Sequence, residues 1–492
     1  MTGTPPDTSK QVNFDAHSLS PEGWHSSLRF FVPGRVNLVG EHLDYNGGRS
    51  LPFAIDRGIR FELDEWRGPL SHLHTDGDAC AILLSSAASD LGTDQVLAVD
   101  LRAQPSGAKN IPGDPYLRGA CALAQELWSK PHPGLWRIRC SSDLPLGAGL
   151  SSSAAYSLGL VSCLSMIFGH RFHDWLTPAL AAQHIEHRFA GTPCGLMDQL
   201  AILATPKGCY LDLDFGDETS RKSSGQGVSF ALAPFTSVPQ VTPRPFCPSL
   251  RDDYRVVLFN TGRKHQLSDG SYATRREECQ AALQGLLSGQ PLHRGPTKAE
   301  PPATTLGDWF RRLPTWAQGD LVHAEDQALE AIEASLQDPL LRRRAVFVAQ
   351  EILRVEQTIQ AMANDAPATI DAVLRRAQAG LRDDYEISCP EVDLAVDLIG
   401  AAKSSLHLQT PSTAPLIIGP RMMGGGWGGS LILWIKTSAH GAILDALNDV
   451  AQRYSISSGC QAELIETCPE RGLAEPWPWS SGASQTKVHQ PV

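Results

Sequence analysis

The segment GRVNLVGEHLDYNGG, Gly34 to Gly48, brings Arg35, Glu41, His42 and Asp44 within ten positions of one another and breaks them up with four glycines. A cation, two carboxylates and an imidazole in so short a span suit neither an ordinary strand nor an ordinary helix. Further on, PLGAGLSSSAA, Pro145 to Ala155, reads as a phosphate-binding loop. Glycines at a strand end that opens a helix let backbone N–H groups approach a ligand, and the helix N-terminus adds unpaired donors and a positive field. Ser151, Ser152 and Ser153 add hydroxyl donors and a magnesium ligand. The Walker lysine is missing, as is the last glycine of a dinucleotide fingerprint; a tight turn with a serine N-cap is the competing reading.

In HIEHRFAGTPCGLMDQLAI, Asp198 precedes an apolar run, which places its carboxylate at a helix start as a partly desolvated group or as a plain cap. His184, Glu186 and His187 lack the HEXXH spacing of a zinc site. Glu186 suits a hard cation, because magnesium takes one or two carboxylates together with phosphate oxygens. In RMMGGGWGGSLILWI the five glycines Gly424–Gly426 and Gly428–Gly429 allow close approach to another backbone or a ligand, or simply a tight turn.

These residues need elements to position them. LRFFVPG reads as a strand entering a glycine loop, RSLPFAIDRGIRFELDEW as two successive strands, and LWRIRCS as a half-buried strand, since Trp136, Ile138 and Cys140 alternate with Arg137 and Arg139. Val348, Ile352, Val355 and Ile359 repeat at helical spacing. SLILWIK, GAILDALNDVAQRYS and CQAELIE read strand, helix, strand. Prolines 234, 239, 243, 245 and 248 predict an irregular insertion or connection.

The expected layout is a polar extension at 1–26, an N-terminal lobe at 27–216, the Pro-rich connection at 217–252, a C-terminal lobe at 253–475 with an insertion near 288–305, and a polar tail at 476–492. A length of 492 residues exceeds one simple core. A net charge of −11 argues against broad binding to nucleic acid or anionic lipid. No signal pattern or long apolar span is visible, and the eleven cysteines are scattered. A reduced, cytoplasmic protein with no membrane association is expected.

The order of the motifs PGRVNLVGEHLDYNGGRSLPFAID, PLGAGLSSSAA, EHRFAGTPCGLMDQL, NTGRKHQLSDGSYATRREEC, LRDDYEISCPEVD and RMMGGGWGG resembles that of galactokinases, members of the GHMP small-molecule kinases. The resemblance runs from about Leu28 to Ile465. It implies an α+β fold of two lobes, the N-terminal one carrying the phosphate loop, the C-terminal one ferredoxin-like, with the active site between them. It also implies phosphorylation of D-galactose at its anomeric hydroxyl by ATP and Mg2+, as a step of galactose catabolism, in a protein expected to be a monomer with small-molecule partners only.

Residue by residue, the resemblance makes Asp198 and Arg35 catalytic. It gives the sugar to Glu41, His42, Leu43, Asp44, Gly195 and Tyr272. The nucleotide phosphates fall to Gly147, Ala148, Gly149, Leu150, Ser151, Ser152 and Ser153, and the magnesium to Ser153 and Glu186. The chain departs from the family at Met423, Trp427 and Ser430, where galactokinases usually carry Thr, Phe and Cys. Gly113 stands where an aromatic usually lines the adenine pocket, so weaker discrimination among nucleotides is expected. Two alternatives stay open: a kinase for a related sugar such as N-acetylgalactosamine, and a sugar sensor without turnover.

Overall fold

A computed structural model describes residues 21–68, 80–86, 97–100, 114–128, 131–132, 134–145, 147–216, 239–264, 270–288, 303–410 and 412–473. Gly113, most of the two Pro-rich stretches and the polar tail lie outside the described residues.

The N-terminal lobe is built on a five-stranded sheet of order β1-β3-β6-β4-β5, comprising β1 (Trp24–Asn37), β3 (Pro52–Trp66), β4 (Cys80–Ser86), β5 (Leu97–Asp100) and β6 (Gly134–Ser142). β1 starts inside the predicted N-terminal extension and runs through Gly34 instead of ending there. Its register against β3 shifts between Pro33 and Arg35. That irregularity matters because a side chain at Gly34 would meet Leu144 Cδ2 at 2.8 Å and Leu150 O at 2.9 Å. Glycine lets the strand press against the start of the phosphate loop.

Four helices cover this sheet: α1 (Pro115–Leu127), α2 (Ser152–Ile167), α3 (Leu176–Arg188) and α4 (Met197–Ala204). α2 is apolar or small on nearly every face, as expected of a helix enclosed on all sides. Gly159 brings it so close to β3 that a Cβ there would lie 2.1 Å from the Phe61 ring. A three-stranded sheet joins β2 (Arg49–Ser50), β7 (Cys209–Asp214) and β8 (Gln240–Pro245). β8 corrects part of the expected irregular connection: Pro243 and Pro245 sit in a strand. It is an edge strand, where the missing N–H groups need not serve a second neighbour.

In the C-terminal lobe β9 (Tyr254–Asn260), β10 (Ile417–Met422), β11 (Ser430–Lys436) and β12 (Glu463–Thr467) form an antiparallel sheet of order β10-β11-β9-β12. With α12 (His440–Ser458) between β11 and β12, this is the ferredoxin-like arrangement. A helical layer fills the span between β9 and β10: α5 (Ser271–Ser288), α6 (Leu306–Arg311), α7 (Pro314–Ala317), α8 (Leu321–Ser335), α9 (Pro339–Ala363), α10 (Pro367–Asp383) and α11 (Pro390–Gln409). Val348, Ile352 and Val355 are fully buried along α9. Among the described residues no helix is long and apolar enough to cross a membrane.

Candidate active site

The loop between β6 and α2 crosses the lobe junction with Gly147 at φ +71°, Gly149 at +73° and Ser151 at +58°. The two glycines take this left-handed region without penalty, whereas Ser151 holds it against its preference. Arg35, at the end of β1, fastens the loop: its N–H donates to Leu150 O at 3.3 Å and its Nη1 to Gly149 O at 2.6 Å. The first N–H groups of α2 are thereby presented at Ser152 and Ser153.

The same arginine holds Asp198 in the first turn of α4. Nε and Nη2 of Arg35 each lie 2.8 Å from Asp198 Oδ1, and Ser151 Oγ donates to Asp198 Oδ2 at 2.5 Å. The carboxylate is therefore committed to these partners instead of capping its helix. On the neighbouring α3, Glu186 is buried, receives Gln199 Nε2 on Oε1 at 2.7 Å and bonds the Ser153 hydroxyl. Burial, and next the Asp198 charge, raise its pKa to about 7.

The segment after β1 supplies the opposite wall. Gly424 N–H donates to Glu41 Oε1 at 3.0 Å. His42 takes φ +60°, and its Nδ1 lies 2.6 Å from Tyr45 Oη, which lies 2.8 Å from Tyr385 Oη. Burial, then the charge of Arg275, lower the His42 pKa to about 3, so the imidazole is neutral. Tyr272 packs on that ring with centroids 5.2 Å apart. Asp44 receives Tyr45 N–H at 3.0 Å, and a Cβ on Gly195 would stand 1.6 Å from its Oδ2, so only glycine fits beside it. Burial, then Asp198 and Glu41, push the Asp44 pKa up to about 7.

These groups wall one cavity of about 570 Å³. Its lining includes every residue that the resemblance gave a catalytic, sugar, nucleotide or metal role except two. Leu43 is fully buried, with its side chain against Gly48 in the core, and Ala148 is buried as well. An apolar side chain gains more from the core than from a polar cavity, which corrects the expectation for Leu43 as a side-chain ligand. The lining also includes Tyr116 and Lys264, to which the sequence motifs assigned no place in the site. Tyr116 bonds Ser153 from the first turn of α1, and Lys264 is exposed beside Gly147, following β9. The readable signal for Lys264 was the RK pair in NTGRKHQ, a cation where a strand ends.

The glycines of the third motif close the junction. A Cβ on Gly149 would meet Met423 O at 2.8 Å, and one on Gly424 would meet Gly149 Cα at 3.1 Å. At Met423 and Gly424, therefore, backbone faces the loop, so Met423 is tolerated although it removes a hydroxyl. Trp427 turns through φ +55°, donates its N–H to Ile387 O at 2.6 Å and lies under the Arg275 guanidinium.

A phosphate loop, a paired aspartate and a polar wall carrying EHLDY also coincide in known proteins. The galactokinase galactose-binding signature matches residues 24–63, and the GHMP kinases N-terminal domain matches residues 115–205. Along most of its length the chain is similar to galactokinases of the GHMP kinases. It is 29% identical to the galactokinase of Bacillus subtilis over 90% of this chain and 93% of that protein. It is also 29% identical to that of Streptomyces coelicolor, over 93% and 96%. The fold is similar to that of Lactococcus lactis galactokinase complexed with galactose, with a TM-score of 0.66 and 21% identity over 91% of this chain and 94% of that one. L. major mevalonate kinase in complex with R-mevalonate shares it more distantly, with a TM-score of 0.51 and 12% identity over 91% and 98%.

Proposed function

We propose that the chain transfers the γ-phosphoryl group of ATP to the anomeric hydroxyl of D-galactose, giving α-D-galactose 1-phosphate and ADP. One observation carries this reading. Asp198 lines one cavity together with two further acidic groups, Asp44 on the EHLDY wall and Glu186 beside the phosphate loop. A sugar on the first side and a triphosphate on the second would meet at this carboxylate.

The sugar oxygen would attack the γ-phosphorus as the bond to the β,γ-bridging oxygen breaks, while the hydroxyl proton passes to Asp198. Such a transfer depends on alignment and charge neutralisation more than on covalent help. Arg35 fixes Asp198 and adds positive charge beside the reacting groups, and the α2 N-terminus and Lys264 favour the phosphates. Glu41, His42, Asp44, Gly195 and Tyr272 would orient the hydroxyls. A hydroxyl left unpaired in such a pocket costs about 1–3 kcal/mol, so dense pairing selects among sugars.

Glu186 and Ser153 fit a magnesium ion. One buried carboxylate and one hydroxyl leave room for water and phosphate oxygens. Magnesium would supply neutralisation of the phosphate oxygens. Among the described residues no three His, Cys, Asp or Glu side chains gather into a metal cage. The reading takes the protein as a cytoplasmic monomer that acts on small molecules.

The test is ADP release with Mg2+ and ATP across a panel of sugars, paired with calorimetry. Galactose should give the highest kcat/KM. A higher value with N-acetylgalactosamine would reassign the substrate, and galactose binding without ADP release would establish a sensor.

A further inference from the structure

Four charged side chains from three separate segments of the chain form one buried ladder behind the EHLDY wall. Arg421 Nη1 lies 3.5 Å from Glu41 Oε1, and its Nη2 lies 3.6 Å from Glu351 Oε1. Glu351 Oε2 accepts Arg354 Nη1 at 3.1 Å. Arg421 and Glu351 are wholly inaccessible. The ladder also grips backbone: Arg421 Nη1 donates to Asn37 O at 3.2 Å, and Gly40 N–H donates to Glu351 Oε1 at 2.9 Å. Those two backbone groups bracket the turn that leads into Glu41.

As a stabilising device this ladder is poor. Desolvating paired charges often gains nothing over apolar side chains of the same size. Arg421 Nε and Nη2 lack hydrogen-bond partners, leaving the guanidinium only partly satisfied. What the arrangement does well is geometric. Arg421 comes from β10, Glu351 and Arg354 from α9, and the chain of pairs ends through Arg421 on Glu41, the one member that lines the active-site cavity. Glu41 Oε1 takes both Arg421 and Gly424 N–H, so the carboxylate is turned to a fixed orientation with Oε2 outside these contacts.

We propose that Arg421 and Glu351 are positioning residues for sugar recognition: from behind the cavity they set the orientation of Glu41 and of the Asn37–Gly40 turn. The proposal rests on the sugar-kinase reading above and names residues that never touch the sugar.

A double-mutant cycle tests it. Glu351→Gln keeps the size and an acceptor for Gly40 N–H but removes the charge that holds Arg421. In the wild-type background it should raise the galactose KM about tenfold, with kcat and the ATP KM within about threefold. In a Glu41→Gln background the same change should add less than about twofold. Should Glu351→Gln fail to fold, Gly380→Ala replaces it. A Cβ there would press on Arg354 Nη1 from 2.7 Å, the end of a flexible side chain, and so disturb the outer rung while sparing the core. An effect of equal size in both backgrounds, zero included, overturns the proposal. Turnover of another sugar, or binding without turnover, would instead overturn the galactose reading. The cycle is then run on the KM of that sugar or on the calorimetric Kd.

Discussion

Asp198 pairs its first carboxylate oxygen with Arg35 and its second with Ser151, which makes two roles for one residue separable by experiment. A helix cap would tolerate amidation, because Asn caps as well as Asp. A group that takes a proton would not. Asp198→Asn should therefore lower kcat about 10²–10⁴-fold, with galactose affinity by calorimetry nearly unchanged. Turnover at the wild-type rate would remove Asp198 from the chemistry. Asp44 carries a second prediction, about pH. Its pKa rises from the usual carboxylate value to about 7 in the fold, so between about pH 4 and pH 7 the unfolded chain has lost a proton that the folded one keeps. The stability tied to that proton is present below pH 4 and lost as pH rises through 7. Asp44→Asn should thus stabilise the ligand-free protein by about 1–2 kcal/mol at pH 8 and hardly at all at pH 4, while weakening galactose binding. Denaturant melts at the two pH values check the sign. Arg35, Glu41, His42 and Asp44 were legible as a group because one short segment holds them all. Arg421 and Glu351 were not, because no local pattern ties either of them to the distant segment at Gly40–Glu41.

At the level of elements, two glycines that look alike in sequence should fail in different ways. Gly159 lies inside α2 against the Phe61 ring, so Gly159→Ala should cost about 1–3 kcal/mol of stability through overpacking and leave both KM values alone. Gly149, at φ +73° with Met423 O where its Cβ would go, belongs to the phosphate loop. Gly149→Ala should raise the ATP KM at least as much as it lowers the melting temperature. Equal kinetic damage from both substitutions would show that the loop is not a separate functional unit. The strands and helices read from periodicity, such as β6 and α9, appear where alternation or helical spacing placed them. β8 escaped notice because its prolines signal a break unless the strand is known to lie at an edge, and edge position is a tertiary property. The glycines of RMMGGGWGG were ambiguous for the same reason: only the folded chain shows that they face another glycine loop.

At the scale of the whole molecule, both lobes contribute to the active-site cavity: β1 and the phosphate loop from one, Tyr272, Lys264 and Gly424 from the other. Gly424 has an unusual position in that junction. Its Cα side lies against Gly149 of the phosphate loop, and its N–H is bonded to Glu41 on the sugar wall. No side chain intervenes that could change rotamer and absorb a displacement. On the proposed function, a nucleotide that shifts this loop would also shift a donor to Glu41, which would link the two substrates energetically before any chemistry occurs. Linkage of that kind is reciprocal: whatever factor a non-hydrolysable ATP analogue applies to the galactose Kd, galactose must apply to the analogue's Kd. A factor of about 5 or more is expected from titrations run in both orders, and a factor of one would mean that the glycine seam yields without transmitting anything. With the larger factor, the small, featureless residue at the centre of the junction would be the means by which one substrate senses the other.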